Sequence, residues 1–282
     1  MNVQAQALKA EQLRKLHRGP RMLVLPNAWD VASARIVEDL GFPAIATTSA
    51  GIAATLGYPD GQKISRDEML SVVARIAKAA HLPVTADVEA GYGVTPDDMT
   101  QMVKAVVAAG VVGINLEDVT GSNEGSLVDC ALQVEKIRAI RKATESLGVP
   151  LVLNARTDIY LMPIGPAETH FQRTVERLRA YRDAGADCLF APGLKDADTI
   201  AKLVRALNGP LNILVTNGAP TLRELEKMGV ARASTGSGVM RATLGLTRRI
   251  AKEMMEAGTY NSMLDGAVPF AEMSEMLARE KS

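Results

Sequence analysis

From Met22 onward the apolar and polar positions repeat one unit: a short aliphatic or β-branched run, a polar turn, a stretch with helical spacing, and a glycine before the next run. The runs fall at 22–26, 44–48, 84–87, 113–117, 151–155, 188–191, 212–216 and 231–234, which makes eight candidate strands. The intervening spacing predicts helices over 30–40, 65–80, 96–109, 129–147, 166–184, 196–207, 221–228 and 238–257. Asp30 is a candidate N-cap, as is Thr95 immediately before Pro96. Gly41, Gly110, Gly148, Gly185 and Gly229 stand at the opposite helix ends. Eight alternations without a Pro- or Ser-rich linker predict one α/β domain over 1–282: a closed parallel (β/α)8 TIM barrel rather than a doubly wound open sheet.

Both flanks depart from the repeat. Leu8, Leu13 and Leu16 have roughly helical spacing and predict a short amphipathic lead-in helix. Beyond 258, Tyr260-Asn261 breaks the pattern, and the remainder reads as one or two further helices bearing Met263, Leu264, Phe270, Met273, Met276 and Leu277. This 258–282 extension has no barrel position to fill, so it packs beneath the barrel or crosses to a neighbouring subunit.

Composition narrows the function classes. Hydrophobic residues make up 47% of the chain and aromatics only 4%, enough for a large aliphatic core. Lys plus Arg and Asp plus Glu each total 32, so no net field draws nucleic acid or an anionic membrane. No apolar run reaches the ~18 residues of a membrane span, and no signal peptide stands out. Cys130 and Cys188 form neither a disulfide framework nor a metal-ligand pattern, so the expected compartment is a reducing cytoplasm.

Chemistry concentrates where a barrel places it, at the C-terminal ends of strands. Asp87 and Glu89, two positions apart at the end of the third run, are expected to share a face. Two desolvated carboxylates there require compensation. Glu117 and Asp118 follow the fourth run, Asn154, Arg156 and Asp158 the fifth, and Asp60 lies in the loop after the second. Like charges so gathered raise one another's pKa unless a cation intervenes, and Mg²⁺ suits an all-oxygen, water-bridged set. Zinc is disfavoured because no His or Cys stands at a matching strand end. Arg156 offers a planar fork to a substrate carboxylate, or else forms an interior salt bridge with Glu117 or Asp158. Asn154 and Asp158, at two-residue spacing, could orient it. Asp118 reads as a loop residue or helix cap.

Gly236-Ser237-Gly238 reads as a tight turn, although it also sits where many barrels bind phosphate. Lys63, Lys104, Lys136, Lys142 and Lys195 all fall outside the predicted strands, which disfavours Schiff-base chemistry. His17, His81 and His170 are placed for structural or surface roles rather than a triad.

Five segments in order carry a resemblance: Leu25-Pro26-Asn27-Ala28-Trp29-Asp30, Leu56-Gly57-Tyr58-Pro59-Asp60, Asp87-Val88-Glu89-Ala90-Gly91-Tyr92-Gly93, Leu116-Glu117-Asp118 and Asn154-Ala155-Arg156-Thr157-Asp158. The chain resembles the isocitrate lyase and phosphoenolpyruvate mutase superfamily. That resemblance implies a barrel whose eighth helix is swapped between paired subunits in a homo-oligomer, a dimer of dimers. It also implies Mg²⁺ and small α-keto or α-hydroxy carboxylate substrates. By motif position it implies Asp87 as the direct metal ligand, Asp60, Glu89 and Glu117 as acids that hold the metal's waters, and Arg156 as the carboxylate clamp. Thr47, Thr48 and Ser49 resemble the segment that binds the substrate carboxylate or enolate oxygen.

Two departures shape the functional expectation. The superfamily's C–C lyases carry a Cys-Gly-His loop after the fourth strand, whereas residues 119–129 read Val-Thr-Gly-Ser-Asn-Glu-Gly-Ser-Leu-Val-Asp. Its phosphonate-handling members place Lys and Asn in that loop and a His after the sixth strand. Here Asn123 stands without a preceding Lys, and Phe190-Ala191-Pro192-Gly193 contains no His. The expected activity is cleavage or formation of a C–C bond, or a P–C bond, in a small α-keto or α-hydroxy dicarboxylate through an enolate, similar to an oxaloacetate decarboxylase or hydrolase. Arg156, Asp60, Glu117 and Asn123 are the expected catalytic residues, with Ser122, Asn123 and Glu124 on a closing loop. The alternatives are phosphoenolpyruvate mutase, phosphonopyruvate hydrolase or 2-methylisocitrate lyase activity, and a non-catalytic keto-acid binder.

Overall fold

The computed structural model describes residues 2–119 and 126–278; Ser122, Asn123 and Glu124 lie outside them. All strand pairs are parallel and run in the order β1-β9-β8-β7-β6-β5-β4-β3-β2. The strands are β1 (Leu23–Leu25), β2 (Asn27–Ala28), β3 (Ile45–Thr47), β4 (Val84–Asp87), β5 (Gly113–Leu116), β6 (Val152–Arg156), β7 (Cys188–Phe190), β8 (Leu211–Leu214) and β9 (Arg232–Ser234). β1 and β2 are one run interrupted at Pro26, which has no N–H to give the ladder. One half pairs with β9 and the other with β3, so the nine segments close as an eight-stave α/β barrel.

The expected helices form, with ends shifted by a residue or a few. Asp30 caps Val31–Asp39, and Thr95 caps Pro96–Ala108 with a reciprocal capping box to Asp98. A helix over Ser49–Thr55 was not foreseen. It is capped by the Thr48 hydroxyl, which accepts from the Gly51 N–H. The lead-in helix, Val3–Leu16, buries Gln6, Ala10 and Leu13 and leaves Leu8 68% exposed, so its inner face is turned from the one the leucine spacing suggested. Leu13 fits against Gly113 at the start of β5, where even a Cβ on that glycine would lie 2.8 Å from the leucine methyl. This end of the barrel is thereby covered, and the C-terminal end is left for chemistry.

The barrel interior is polar toward its axis. Asn154 donates to Asn115 Oδ1 at 2.8 Å, Arg232 reaches the same oxygen at 3.3 Å, and Asn212 bonds Ser234. Beyond β9, Gly238–Glu256 buries only Met240 along its length. Phe270–Ala278 returns to lie against Val31–Asp39, with Met276 buried. The extension therefore packs on the barrel's flank rather than beneath it. Among the described residues no helix is long and apolar enough to cross a membrane.

Candidate active site

β4 ends at Asp87, so the two-residue alternation of a strand does not carry Glu89 to the mouth as expected. Glu89 instead adopts φ +51°, a left-handed conformation uncommon for a side chain larger than Asn or Asp, as does Tyr92 at +53°. A sharp turn delivers the second carboxylate, not the pleat. Several contacts hold this turn. The Glu89 N–H approaches Asp87 Oδ1 at 3.4 Å, Tyr92 donates its hydroxyl to Glu89 Oε1 at 3.0 Å, and the Gln62 N–H donates to Glu89 Oε2. From beneath, the buried Lys136 ammonium donates to Ala90 O at 2.8 Å and Gly93 O at 3.4 Å.

Thr47, Thr48 and Ser49 serve Asp87 and the chain around it. Thr47 is fully buried, and its hydroxyl accepts the Asp87 N–H at 3.1 Å. Thr48 caps the following helix. Ser49 donates Oγ–H to Asp87 Oδ2 at 2.8 Å, and among the described residues Oδ1 faces only the weaker Glu89 contact. Of the three, Thr48 and Ser49 line the cavity at the mouth, a space of about 510 Å³. Asp60, Asp87, Glu117 and Arg156 share its wall. Glu89 lines an adjoining cavity of about 330 Å³ together with Asp60, Glu117 and Arg156.

The acids press on one another. Burial, then the Asp87 charge, pushes Glu89 up to about 7, and the same two causes raise Asp60. Burial also drives Glu117 well above the usual carboxylate range against the pull of Arg156, with Asp87, Asp158 and Glu89 adding to the rise. The folded pKa of Glu89 lies above its unfolded value, so the neutral form is the one that favours folding. That contribution is complete near pH 4 and is lost as pH climbs through about 7. The metal-free protein should therefore melt lower at pH 8 than at pH 6, and Glu89→Gln should flatten the difference. Calorimetric scans at the two pH values measure it, and an equal slope in wild type and variant would contradict the assignment.

Arg156 is both clamp candidate and ion-pair member. Its Nη1 pairs with Glu117, while Nε and Nη2 lie 2.9 Å and 2.7 Å from Asp158 Oδ1. Among the described residues these contacts engage three of a guanidinium's five N–H groups, and the other two are available to a ligand. Burial opposes its charge, yet Asp158, Glu117 and Asp87 outweigh burial and hold it protonated. Its face stacks over Phe190 at 5.7 Å. Asn154, expected to orient Arg156, instead bonds Asn115 deeper in the barrel.

Asp118 is a loop residue just past the end of β5, as expected, but a buried one. It is fully buried, accepts from Arg177 and the Tyr181 hydroxyl, each at 2.8 Å, and takes the Asp158 N–H at 3.0 Å. It thereby fixes the segment that holds Arg156. The only signal for it was the adjacency of two acids at a strand end.

Sequence reasoning also passed over Asn27, Tyr160, Lys195, Thr216 and Arg241, which line the larger cavity. Asn27 Oδ1 accepts the N–H groups of Thr235 and Gly236, each at 2.9 Å. Gly236 and Ser237 form the expected tight turn, and both line the cavity. Gly193, also on the wall, has φ +83°, and a Cβ there would meet the Leu161 backbone at 2.6 Å. Close passage of two loops is what requires that glycine.

Residues 13–255 match the phosphoenolpyruvate phosphomutase family. The chain belongs to that family. It is a member of the phosphoenolpyruvate mutase/isocitrate lyase superfamily of lyases and mutases. A Burkholderia cenocepacia crystal structure, classed only provisionally as a lyase/mutase, is 40% identical with a TM-score of 0.91, covering 98% of each chain. An oxaloacetate decarboxylase of Pseudomonas fluorescens is 31% identical over 88% of each chain. Oxaloacetate acetylhydrolase in complex with oxalate is 26% identical with a TM-score of 0.83, over 95% of this chain and 93% of that one.

Among the described residues of this family member, no three His, Cys, Asp or Glu side chains converge into a ready-made metal cage. The set is an all-oxygen one in which neighbouring acids raise one another's pKa. Such donors fit a hard cation that keeps most of its waters and takes few direct ligands.

Proposed function

We propose that the protein is a Mg²⁺-dependent enzyme that cleaves a C–C bond, or less readily a P–C bond, in a small α-keto or α-hydroxy dicarboxylate through an enolate. The observation that carries this reading is the mutual destabilisation of Asp60, Glu89 and Glu117 around Asp87, beside a largely but not fully buried arginine with N–H groups to spare among the described residues. Relatives named for oxaloacetate chemistry support the substrate class.

Asp87 would hold the ion directly, and Asp60, Glu89 and Glu117 would hold its waters. When bound, Mg²⁺ supplies positive charge where the enolate oxygen develops. Arg156 binds and orients the keto-acid carboxylate. Ser49 keeps Asp87 in one rotamer through its hydroxyl bond, which spares the site reorganisation as charge shifts. Phe190, beneath the guanidinium, keeps water off that face. Asn123, proposed as a further catalytic group, lies outside the described residues, as does the rest of the loop at 120–125. The base of that loop is pinched by the Val119–Leu127 bridge.

Assaying oxaloacetate and a panel of 2-hydroxy and 2-keto dicarboxylates, with and without Mg²⁺, tests this. Turnover that vanishes with chelator is expected; binding without product would support a keto-acid binder instead. We also propose a homo-oligomer formed through the C-terminal helices. Leu244 is 55% exposed, and Met255 and Phe270 are each 80% exposed, a density of apolar surface that a second copy would cover. Light scattering that returned a 30.0 kDa particle would refute it.

A further inference from the structure

The helix Cys130–Leu147 turns two polar side chains inward. Gln133 and Lys136 are fully buried and stand one turn apart, so they share the face that Ile137 and Ile140 pack into the core. Gln133 donates its amide to Glu117 O at 3.1 Å, while Lys136 donates to Ala90 O at 2.8 Å and Gly93 O at 3.4 Å. One helix thereby holds the backbone of both acid-bearing loops, which are joined to each other by the Glu117 N–H on Glu89 O at 2.9 Å. Lys136 is the harder of the two to place in a core, because a buried ammonium needs compensation. Among the described residues it forms no ion pair, and burial pulls its pKa down to about 8 against the opposing pull of Asp98 and Asp118. What it holds is strained. Glu89, Gly91 and Tyr92 all take positive φ, and two of the three carry side chains that disfavour it. Such a turn persists only where its surroundings fix it from several sides. Gln62 bonds both Glu89 and the Tyr92 N–H, and Lys136 takes the inward carbonyls.

We infer that Lys136 is a positioning residue for the acid cluster: by fastening Ala90 and Gly93 it holds the left-handed turn that aims the Glu89 carboxylate at the mouth. This deepens the function proposed above and rests on it. Lys136 lines neither cavity at the mouth, so its influence on a bound cation passes through Glu89. Two roles are thereby told apart. A lysine that only packed the helix would change stability and leave cation affinity to the acids, whereas a positioning lysine moves that affinity through one particular carboxylate.

Lys136→Met, made both in the wild-type chain and in Glu89→Gln, tests this with Mn²⁺ binding followed by electron paramagnetic resonance and no substrate present. In the wild-type chain the substitution should weaken Mn²⁺ by roughly 10-fold or more. In Glu89→Gln it should change the dissociation constant by less than about twofold, because the carboxylate it positions is already gone. An unchanged affinity in the first case, or equal weakening in both, would overturn the inference. Hydrogen exchange on the metal-free proteins gives a second readout. The amides of Gly91, Tyr92 and Glu117, which bond Val88 O, Gln62 Oε1 and Glu89 O, should exchange about 10-fold faster or more in Lys136→Met, while those inside Cys130–Leu147 keep their protection. Faster exchange along that helix with the turn unchanged would make Lys136 a packing residue and refute the role. Should Lys136→Met fail to fold, Lys136→Gln, which keeps a donor on a shorter neutral stem, takes its place in both measurements. Should wild type not bind Mn²⁺, the functional reading fails by itself, and the exchange pattern alone upholds or refutes the hold of Lys136 on the turn.

Discussion

Asp87→Asn should lose Mg²⁺-dependent turnover by about a thousandfold or more while folding at least as stably as wild type. The two halves of that result come from one cause. Asp87 is the charge that Asp60, Glu89 and Glu117 all feel, so removing it relieves each of them. An amide of the same shape still accepts the Ser49 hydroxyl, which keeps the local packing. Without metal at pH 8, the variant should melt above wild type, because one fewer buried charge goes uncompensated. A second readout follows for Glu89: its pKa should fall from about 7 toward the ordinary carboxylate range. Activity assays with thermal scans decide it. Retained turnover would remove Asp87 from the metal, and loss of the fold would make it a structural acid.

Arg156→Met should be the most destabilising change at the mouth, by about 3 kcal/mol or more, since a buried pair broken on one side leaves the other side unpaired. Here two acids are left, Glu117 and Asp158, and among the described residues Asp158 Oδ2 is already buried without a partner. Oxalate binding should be lost as well. Arg156→Lys separates the two roles. It restores charge to the acids but not the planar fork, so stability should recover more than oxalate affinity does. Denaturant titration of both variants measures the first effect and calorimetry the second. If Arg156→Met unfolds at the same denaturant concentration as wild type, the salt-bridge account is wrong.

The barrel was legible because its signals are local. Runs buried on both faces, caps such as Asp30 and Thr95, and glycines at helix ends each act within a few residues. All five of those helix-end glycines take positive φ. The acids at strand ends were legible for the same reason, since register in a parallel barrel follows from strand position. What escaped depends on partners far along the chain. Asp118 reads as a loop acid until Arg177 and Tyr181, some 60 residues on, are folded against it. The route of Glu89 to the mouth was misjudged because a left-handed turn carries no sequence mark when the residue is glutamate. Lys195 was weighed only for Schiff-base chemistry and Arg241 not at all, although cavity walls are built from loops and helix starts as much as from strand ends. Arg232, fully buried within β9, had a readable clue in a lone cation between alanines of an apolar run.

The central claim is that a single divalent ion lies against Asp87, with the other three acids around its waters. Crystals grown with Mn²⁺ and oxalate, measured at the manganese edge, report this directly. The account predicts one anomalous peak within roughly 2.0–2.6 Å of an Asp87 carboxylate oxygen, with Asp60, Glu89 and Glu117 reached through water and oxalate turned toward Arg156. A peak held elsewhere, or no peak beside Asp87 in crystals that bind oxalate, would contradict it.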